Sequence, residues 1–371
     1  MLTSHKDSRG SPRAPVSTHF FLNDWTYSSL DLYALFERES DLFQDIIITD
    51  FSLTGGINMK NKITIIGAGY VGSTIAYAVM NRGFASRISL IDIDREKAEG
   101  EAMDLNHGAA FVKPIKVTSG DYEECADADV VVVTAGKNQK PGQTRLDLVN
   151  ENAGIFKEII PRIEKHADDT IILVVTNPVD ILTYVADELS KFPTGRVLGS
   201  GTVLDTSRLR YLIGDHCEIN PSNVHGYVIG EHGDREVITW SLTNFGGIPF
   251  DKYCEMCDKR CNGGEFKKYI EERVKNAAYD VIDKKGATNY AVGLAVAEIL
   301  EAIIRDERKM LTVTSRLRGQ YGLTDVALGL PSVVGGSGAE NVLTHDLSPE
   351  EEKRLINSGK ELKETADKLD L

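Results

Sequence analysis

The segment KITIIGAGYVGSTIAYAVMNRG, residues 62–83, runs from an apolar, β-branched strand through a glycine turn into an apolar-periodic helix. Its GAGYVG core fits a G-x-G-x-x-G pattern in the setting that gives the pattern meaning. Gly67 permits the tight turn, Gly69 lets a pyrophosphate approach the backbone, and Gly72 lets helix and strand pack closely, with the helix N-terminus facing the anion. Tyr70 and Val71 complete this predicted cofactor-binding turn. A second strand, ISLID, ends in Asp92, twenty residues beyond Gly72, where a carboxylate can accept bonds from both hydroxyls of an adenosine ribose. The same charge repels a 2′-phosphate, so the expected dinucleotide is NAD rather than NADP. Asp94 suits the cap of the following helix and leaves Asp92 free for the ribose.

Strand-like runs (KITIIG, RISLID, IKVTSG, DVVVVTAG, TIILVVTN) then alternate with helical patterns at 71–82, 94–107, 147–166 and 178–190. Continuous apolar stretches such as Val130 to Val133 imply strands covered on both faces, hence a doubly wound α/β fold with a mainly parallel sheet. This predicts a Rossmann-type domain over 59–200. From about residue 200 the pattern mixes long helices (265–284, 290–305) with strand-and-turn composition, an α+β domain over 201–371. The last helix has Ser348 as N-cap, Pro349 at its first position and Glu351 three residues after the cap. Leu355, Ile356, Leu362 and Leu369 form its apolar stripe. Residues 1–58 carry many aromatics but no motif. Gly55-Gly56 followed by two codons and Met59 is what a translated ribosome-binding site looks like, making 1–58 a candidate start-site artefact that intact mass of the natively expressed protein tests.

Composition narrows the function classes. The net charge of −14 disfavours nucleic acid and anionic lipid as partners. No apolar run reaches membrane-spanning length, and the N-terminus lacks a secretory apolar segment, so a cytoplasmic location is expected. The five cysteines are odd in number and unevenly spread, as for reduced thiols. Three crowd into CEMCDKRC, but no fourth ligand stands nearby, and no metal is expected.

Three further stretches bear on chemistry. After the strand DVVVVTAG, the polar segment KNQKPGQTRLDL places Gln139 and Arg145 at the carboxyl edge of the sheet, where ligands bind in open α/β folds. In LDTSRLR, Asp205 and Arg208 share a helix face, whereas Arg210 lies about 200° round from Arg208. If they face a cleft, Asp205 and Arg208 make an acid–guanidinium pair; otherwise they are a surface ion pair of little consequence. VIGEHGDRE, residues 228–236, holds His232 in what is, by itself, ordinary turn composition.

The ordered set GAGYVG, LIDID, NQKPGQTRLDL, TNPVD, LDTSRLR, GEHGD and GATNYAV resembles the L-lactate and malate dehydrogenase family from about Met59 to the C-terminus. The resemblance implies His232 as catalytic acid/base, Asp205 as its orienting partner, Arg208 as the binder of substrate carboxylate, and Arg145 as the residue that polarises the carbonyl. It also implies that Asn177 contacts the nicotinamide side and the substrate oxygen, and that Thr288 lines the pocket. In this family arginine at the position of Gln139 pairs with the second carboxylate of oxaloacetate, and a neutral glutamine suits a monocarboxylate. Pyruvate and L-lactate are therefore expected, with a larger 2-hydroxy acid as the same-fold alternative and malate less favoured. Arg210 and His225 match positions at which bacterial relatives bind fructose bisphosphate across a subunit interface, and a cytoplasmic homotetramer in glycolytic pyruvate reduction is implied. Two other classes compete: a non-catalytic dinucleotide-binding protein, which has no need of His232, Asp205, Arg208 and Arg145 together, and a NAD-dependent glycosidase, which needs a metal-binding set not found here.

Overall fold

A computed structural model describes residues 61–137, 142, 144–257 and 263–369; the predicted extension 1–58, Gln139 and Cys261 lie outside the described residues. The first strands and helices alternate as β1 (Lys62–Ile66), α1 (Tyr70–Arg82), β2 (Arg87–Ile91), α2 (Arg95–His107), β3 (Lys116–Gly120), β4 (Val130–Val133), α3 (Arg145–His166), β5 (Ile171–Val174), α4 (Val179–Leu189), β6 (Val197–Gly199) and α5 (Val203–Cys217). The six strands are parallel, in the order β3-β2-β1-β4-β5-β6. Every residue of β1, β4 and β5 is buried, as their unbroken apolar sequences predict. Successive side chains pass to opposite faces: Ile63, Ile65, Val130 and Val132 enter one core, while Ile66, Val131 and Val133 enter the other. Strand order reverses beside β1, and the connections leaving β1 and β4 there open a crevice at the carboxyl edge.

The chain continues through β7 (Val224–His225), β8 (Val228–Gly230), β9 (Glu236–Ile238), β10 (Asn244–Phe245), β11 (Ile248–Pro249), α6 (Phe250–Met256), α7 (Gly263–Lys285) and α8 (Tyr290–Ile304). It ends with β12 (Lys309–Leu311), β13 (Thr314–Arg318), β14 (Thr324–Gly329), β15 (Ser332–Gly335), β16 (Gly338–Val342) and α9 (Pro349–Ala366). The sheet does not stop at residue 200, although its parallel part ends with β6. Thr314 pairs antiparallel with Gly199, and β13, β14, β8 and β9 extend the sheet past β6. At the C-terminus the expected capping box forms between Ser348 and Glu351, and Leu355 and Leu362 are buried.

The start of α3 matters most for the site. Thr144 Oγ1 accepts from Asp147 N at 3.1 Å while the Asp147 carboxylate accepts from Thr144 N at 3.2 Å, so a reciprocal cap sets the first helical residue at Arg145. Val149, Phe156, Ile160 and Ile163 follow on one face and are fully buried against β4 and β5 in the second core.

Candidate active site

The glycine turn after β1 divides its three glycines by role. A Cβ on Gly67 would meet Thr134 Oγ1 at 2.5 Å, and φ there is +109°. A Cβ on Gly72 would lie 1.9 Å from the carbonyl oxygen of Gly67, so helix and turn pack as closely as the motif predicts. Gly69 is different: its φ of −77° is ordinary, and its Cβ would meet nothing within 4 Å. Nothing in the chain requires glycine there, whereas a ligand laid against the backbone does. Gly69 also caps α1 without a side chain, leaving the N-terminal amides to an anion. Tyr70 is 77% exposed beside it, and Val71 is partly buried.

Asp92 directly follows β2, its carboxylate accepting from Ala68 N (2.6 Å) and Asp94 N (3.0 Å), which fixes the carboxylate to the glycine turn and leaves lone pairs for a diol. Asp94 caps α2 through Lys97 N, as expected. Thr134, at the end of β4, was not legible as part of this cradle. Its hydroxyl donates to Gly67 O at 2.8 Å and braces the turn.

Farther along the crevice, Asp205 in the first turn of α5 is 1% exposed. Its Oδ2 lies 2.5 Å from His232 Nδ1, and Arg208 Nη1 donates to its Oδ1 at 2.8 Å. The helix is sewn to β8 by threonines: Thr202 Oγ1 donates to Val228 O (2.6 Å), and Thr206 Oγ1 accepts from Val228 N (3.0 Å). The chain then leaves β8 and turns at His232. The backbone of His232 is held by a residue that sequence reasoning missed. Asp180 Oδ2 accepts from His232 N at 2.7 Å and Asp180 Oδ1 from Thr314 Oγ1 at 2.5 Å. Its aspartate ends the TNPVD motif, but only the fold reveals what it holds.

Electrostatics follow from this packing. Burial opposes a charge on His232, yet the Asp205 carboxylate outweighs it and lifts the imidazole to about 9. Burial likewise pushes Asp205 upward, but His232 and Arg208 hold it below the usual carboxylate range. Burial raises Asp180 to about 6 against the bonds from Thr314 and His232 N. Glu236 on β9 is also buried; lost solvation, then the Asp205 charge, lift it to about 8, so it is mostly neutral at pH 7 and leaves Asp205 as the anion paired with His232. The triad is thus an imidazolium–carboxylate–guanidinium unit at neutral pH.

His232 opens into a cleft of about 350 Å³, including its open mouth, lined also by Val175, Asn177, Leu204, Val292 and Val296. Asn177 Oδ1 accepts from Val179 N at 3.3 Å, which leaves the amide nitrogen available to a ligand. The structure therefore gathers His232, Asp205, Arg208 and Asn177 at one crevice. Thr288 lies half-buried between α7 and α8 and is not among the lining residues. Of Arg145 only the helical backbone is described, and Gln139 lies outside the described residues. On the far side of α5, Arg210 Nε donates to Gly226 O at 3.4 Å, beside exposed His225 on β7.

Comparison with known proteins covers nearly all of the described residues. Residues 61–199 match the NAD binding domain of lactate/malate dehydrogenase, and residues 202–370 match the alpha/beta C-terminal domain of lactate/malate dehydrogenase. The chain is 55% identical over 310 residues to L-lactate dehydrogenase 1 of Clostridium acetobutylicum, covering 84% of this chain and 99% of that one. It is 54% identical to L-lactate dehydrogenase of Acetivibrio thermocellus, covering 84% and 98%. The crystal structure of minor L-lactate dehydrogenase from Enterococcus mundtii in a ligands-bound form superposes with a TM-score of 0.82 at 44% identity, covering 85% of this chain and all of that one. With matching domain models over both halves and relatives above 50% identity, the chain belongs to the lactate/malate dehydrogenase family.

Proposed function

We propose that this protein is an NAD-dependent L-lactate dehydrogenase, interconverting pyruvate and L-lactate. The observation that carries the proposal is His232, bonded to Asp205 and through it to Arg208, lining one cleft with Asn177 on the sheet edge that bears the glycine cradle. Gly67, Gly69, Gly72 and the α1 N-terminus would hold the pyrophosphate and Asp92 the adenosine ribose, and exposed Ile93 beside it would offer the base an apolar surface. NADH, when bound, supplies the hydride that adds to the keto carbon. His232 gives its proton to the keto oxygen and takes it back from the hydroxyl in the reverse direction. Asp205 fixes the ring through Nδ1, leaving Nε2 for the substrate. Arg208 holds the substrate carboxylate, the Asn177 amide donates to the substrate oxygen, and Arg145 stabilises the charge developing on that oxygen. A panel of 2-keto acids with NADH tests the assignment: pyruvate should be reduced with the highest kcat/KM, and its failure to oxidise NADH would defeat the proposal.

Gln139 is the proposed discriminator. Gln139→Arg supplies a charge for a second substrate carboxylate, so the ratio of kcat/KM for oxaloacetate over pyruvate should rise about a hundredfold or more. An unchanged ratio would count against this role.

Arg210 is a half-buried guanidinium with no carboxylate partner among the described residues, and it stands beside exposed His225. This pairing suits phosphate, and fructose bisphosphate is proposed as an activator across an interface of a cytoplasmic homotetramer. Activation should lower the pyruvate concentration at half-saturation. Saturation curves that do not respond to the sugar bisphosphate would remove the idea.

A further inference from the structure

The parallel ladder between β4 and β5 ends at Val133 and Val174, yet the chain segments beyond it, 134–137 and 175–177, must still be held beside each other at the crevice. Backbone bonds reach only a little farther, from Val175 N and Thr176 N to Val133 O. Beyond that point side chains do the joining: the Thr176 hydroxyl donates to Ala135 O at 2.8 Å, and the farthest residues, Lys137 and Asn177, are linked through Asn152. Asn152, on α3 two turns after Arg145, is fully buried. Its Oδ1 accepts from Lys137 N at 2.8 Å, and its Nδ2 donates to Lys137 O at 3.2 Å and to Asn177 O at 3.0 Å. Lys137 and Asn177 are themselves exposed, but these bonds are partly buried, and the buried Asn152 carboxamide supplies the acceptor and donors that take the place of the missing ladder bonds.

We infer that Asn152 is a positioning residue for the reaction: it acts through the backbones of Lys137 and Asn177 to set where the Asn177 amide meets the substrate. The inference rests on the assignment of Asn177 as a substrate contact. No other residue type of this size offers an acceptor to one backbone N–H together with donors to two carbonyls. Aspartate keeps the acceptor but turns a second carboxylate oxygen towards Lys137 O and Asn177 O, and leucine fills the volume without any bond. The cradle at Gly67–Gly72 shares none of these bonds, so cofactor binding provides an internal control.

The test combines steady-state kinetics, NADH binding by fluorescence titration, and thermal unfolding for Asn152→Asp, Asn152→Ser, Asn177→Ala and the Asn152→Asp/Asn177→Ala double variant. Asn152→Asp should lower kcat/KM for pyruvate about tenfold or more, mainly through kcat, while the NADH Kd moves less than about threefold. The milder Asn152→Ser covers the case in which the aspartate variant does not fold and should show the same split, smaller in size. In the Asn177→Ala background the Asn152 substitution should cost much less, because both changes act on one contact. A folded Asn152→Asp or Asn152→Ser enzyme with unaltered kinetics but a lowered Tm would overturn the inference and leave a structural role. Equal losses in both backgrounds would overturn it too. An Asn177→Ala enzyme of full activity would instead show that the assignment of Asn177 is wrong, and the positioning role would fall with it.

Discussion

Asp205→Asn is expected to lower kcat/KM for pyruvate at neutral pH by about a thousandfold, and to move the alkaline limb of its pH profile to lower pH. Pyruvate reduction needs His232 protonated. With the imidazole lifted to about 9, kcat/KM should stay level through neutrality and fall as pH rises through that value. Of the influences on His232, the Asp205 charge is the largest that raises its pKa; burial and Arg208 push the other way and would remain in the variant. The imidazolium is then scarce at neutral pH. Asparagine keeps one acceptor oxygen and puts an NH2 in place of the other, so either His232 Nδ1 loses the acceptor that orients the ring or Arg208 loses its 2.8 Å partner. Lactate oxidation requires the neutral imidazole, so its profile should shift in the same direction but lose less activity at neutral pH. This asymmetry separates loss of proton supply from simple misfolding. A pyruvate profile whose limb stays near 9 in the variant would show that Asp205 does not govern the histidine.

Much of this site is legible in the sequence because local physics writes it there. A GAGYVG turn between β1 and α1 is a steric necessity at Gly67 and Gly72, and both contacts appear in the fold. Asp94 and Ser348 cap their helices because short polar side chains satisfy first-turn amides wherever they stand. The start of α3 could have been placed more sharply. Thr144 followed three residues later by Asp147 is a capping signal, and it fixes Arg145 as the first helical residue. What could not be read are bonds across large sequence separations. Asp180 meets His232 fifty-two residues away, Thr134 meets Gly67 sixty-seven residues away, and the β6–β13 pairing that carries the sheet onward joins Gly199 to Thr314. No periodicity encodes such meetings, since they depend on which strands become neighbours.

Arg208→Lys provides the complementary test, because it keeps the charge and removes the geometry. Arg208 Nη1 is committed to Asp205, which leaves the rest of the planar fork for a substrate carboxylate. A lysine ammonium is a single point charge and cannot serve the buried Asp205 carboxylate and align a second carboxylate through two parallel bonds. The keto carbon then loses its fixed approach, and kcat/KM for pyruvate should fall about a hundredfold to a thousandfold, with a rise in KM. The NADH Kd should hardly change, since the glycine cradle and Asp92 share no bond with Arg208. The alkaline limb should also stay near 9, because the positive charge beside Asp205 and His232 is preserved, in contrast to the shift expected for Asp205→Asn. A lysine variant within about threefold of the parent kcat/KM would mean that carboxylate recognition lies elsewhere, since losing a bidentate contact in a site this enclosed cannot be so mild.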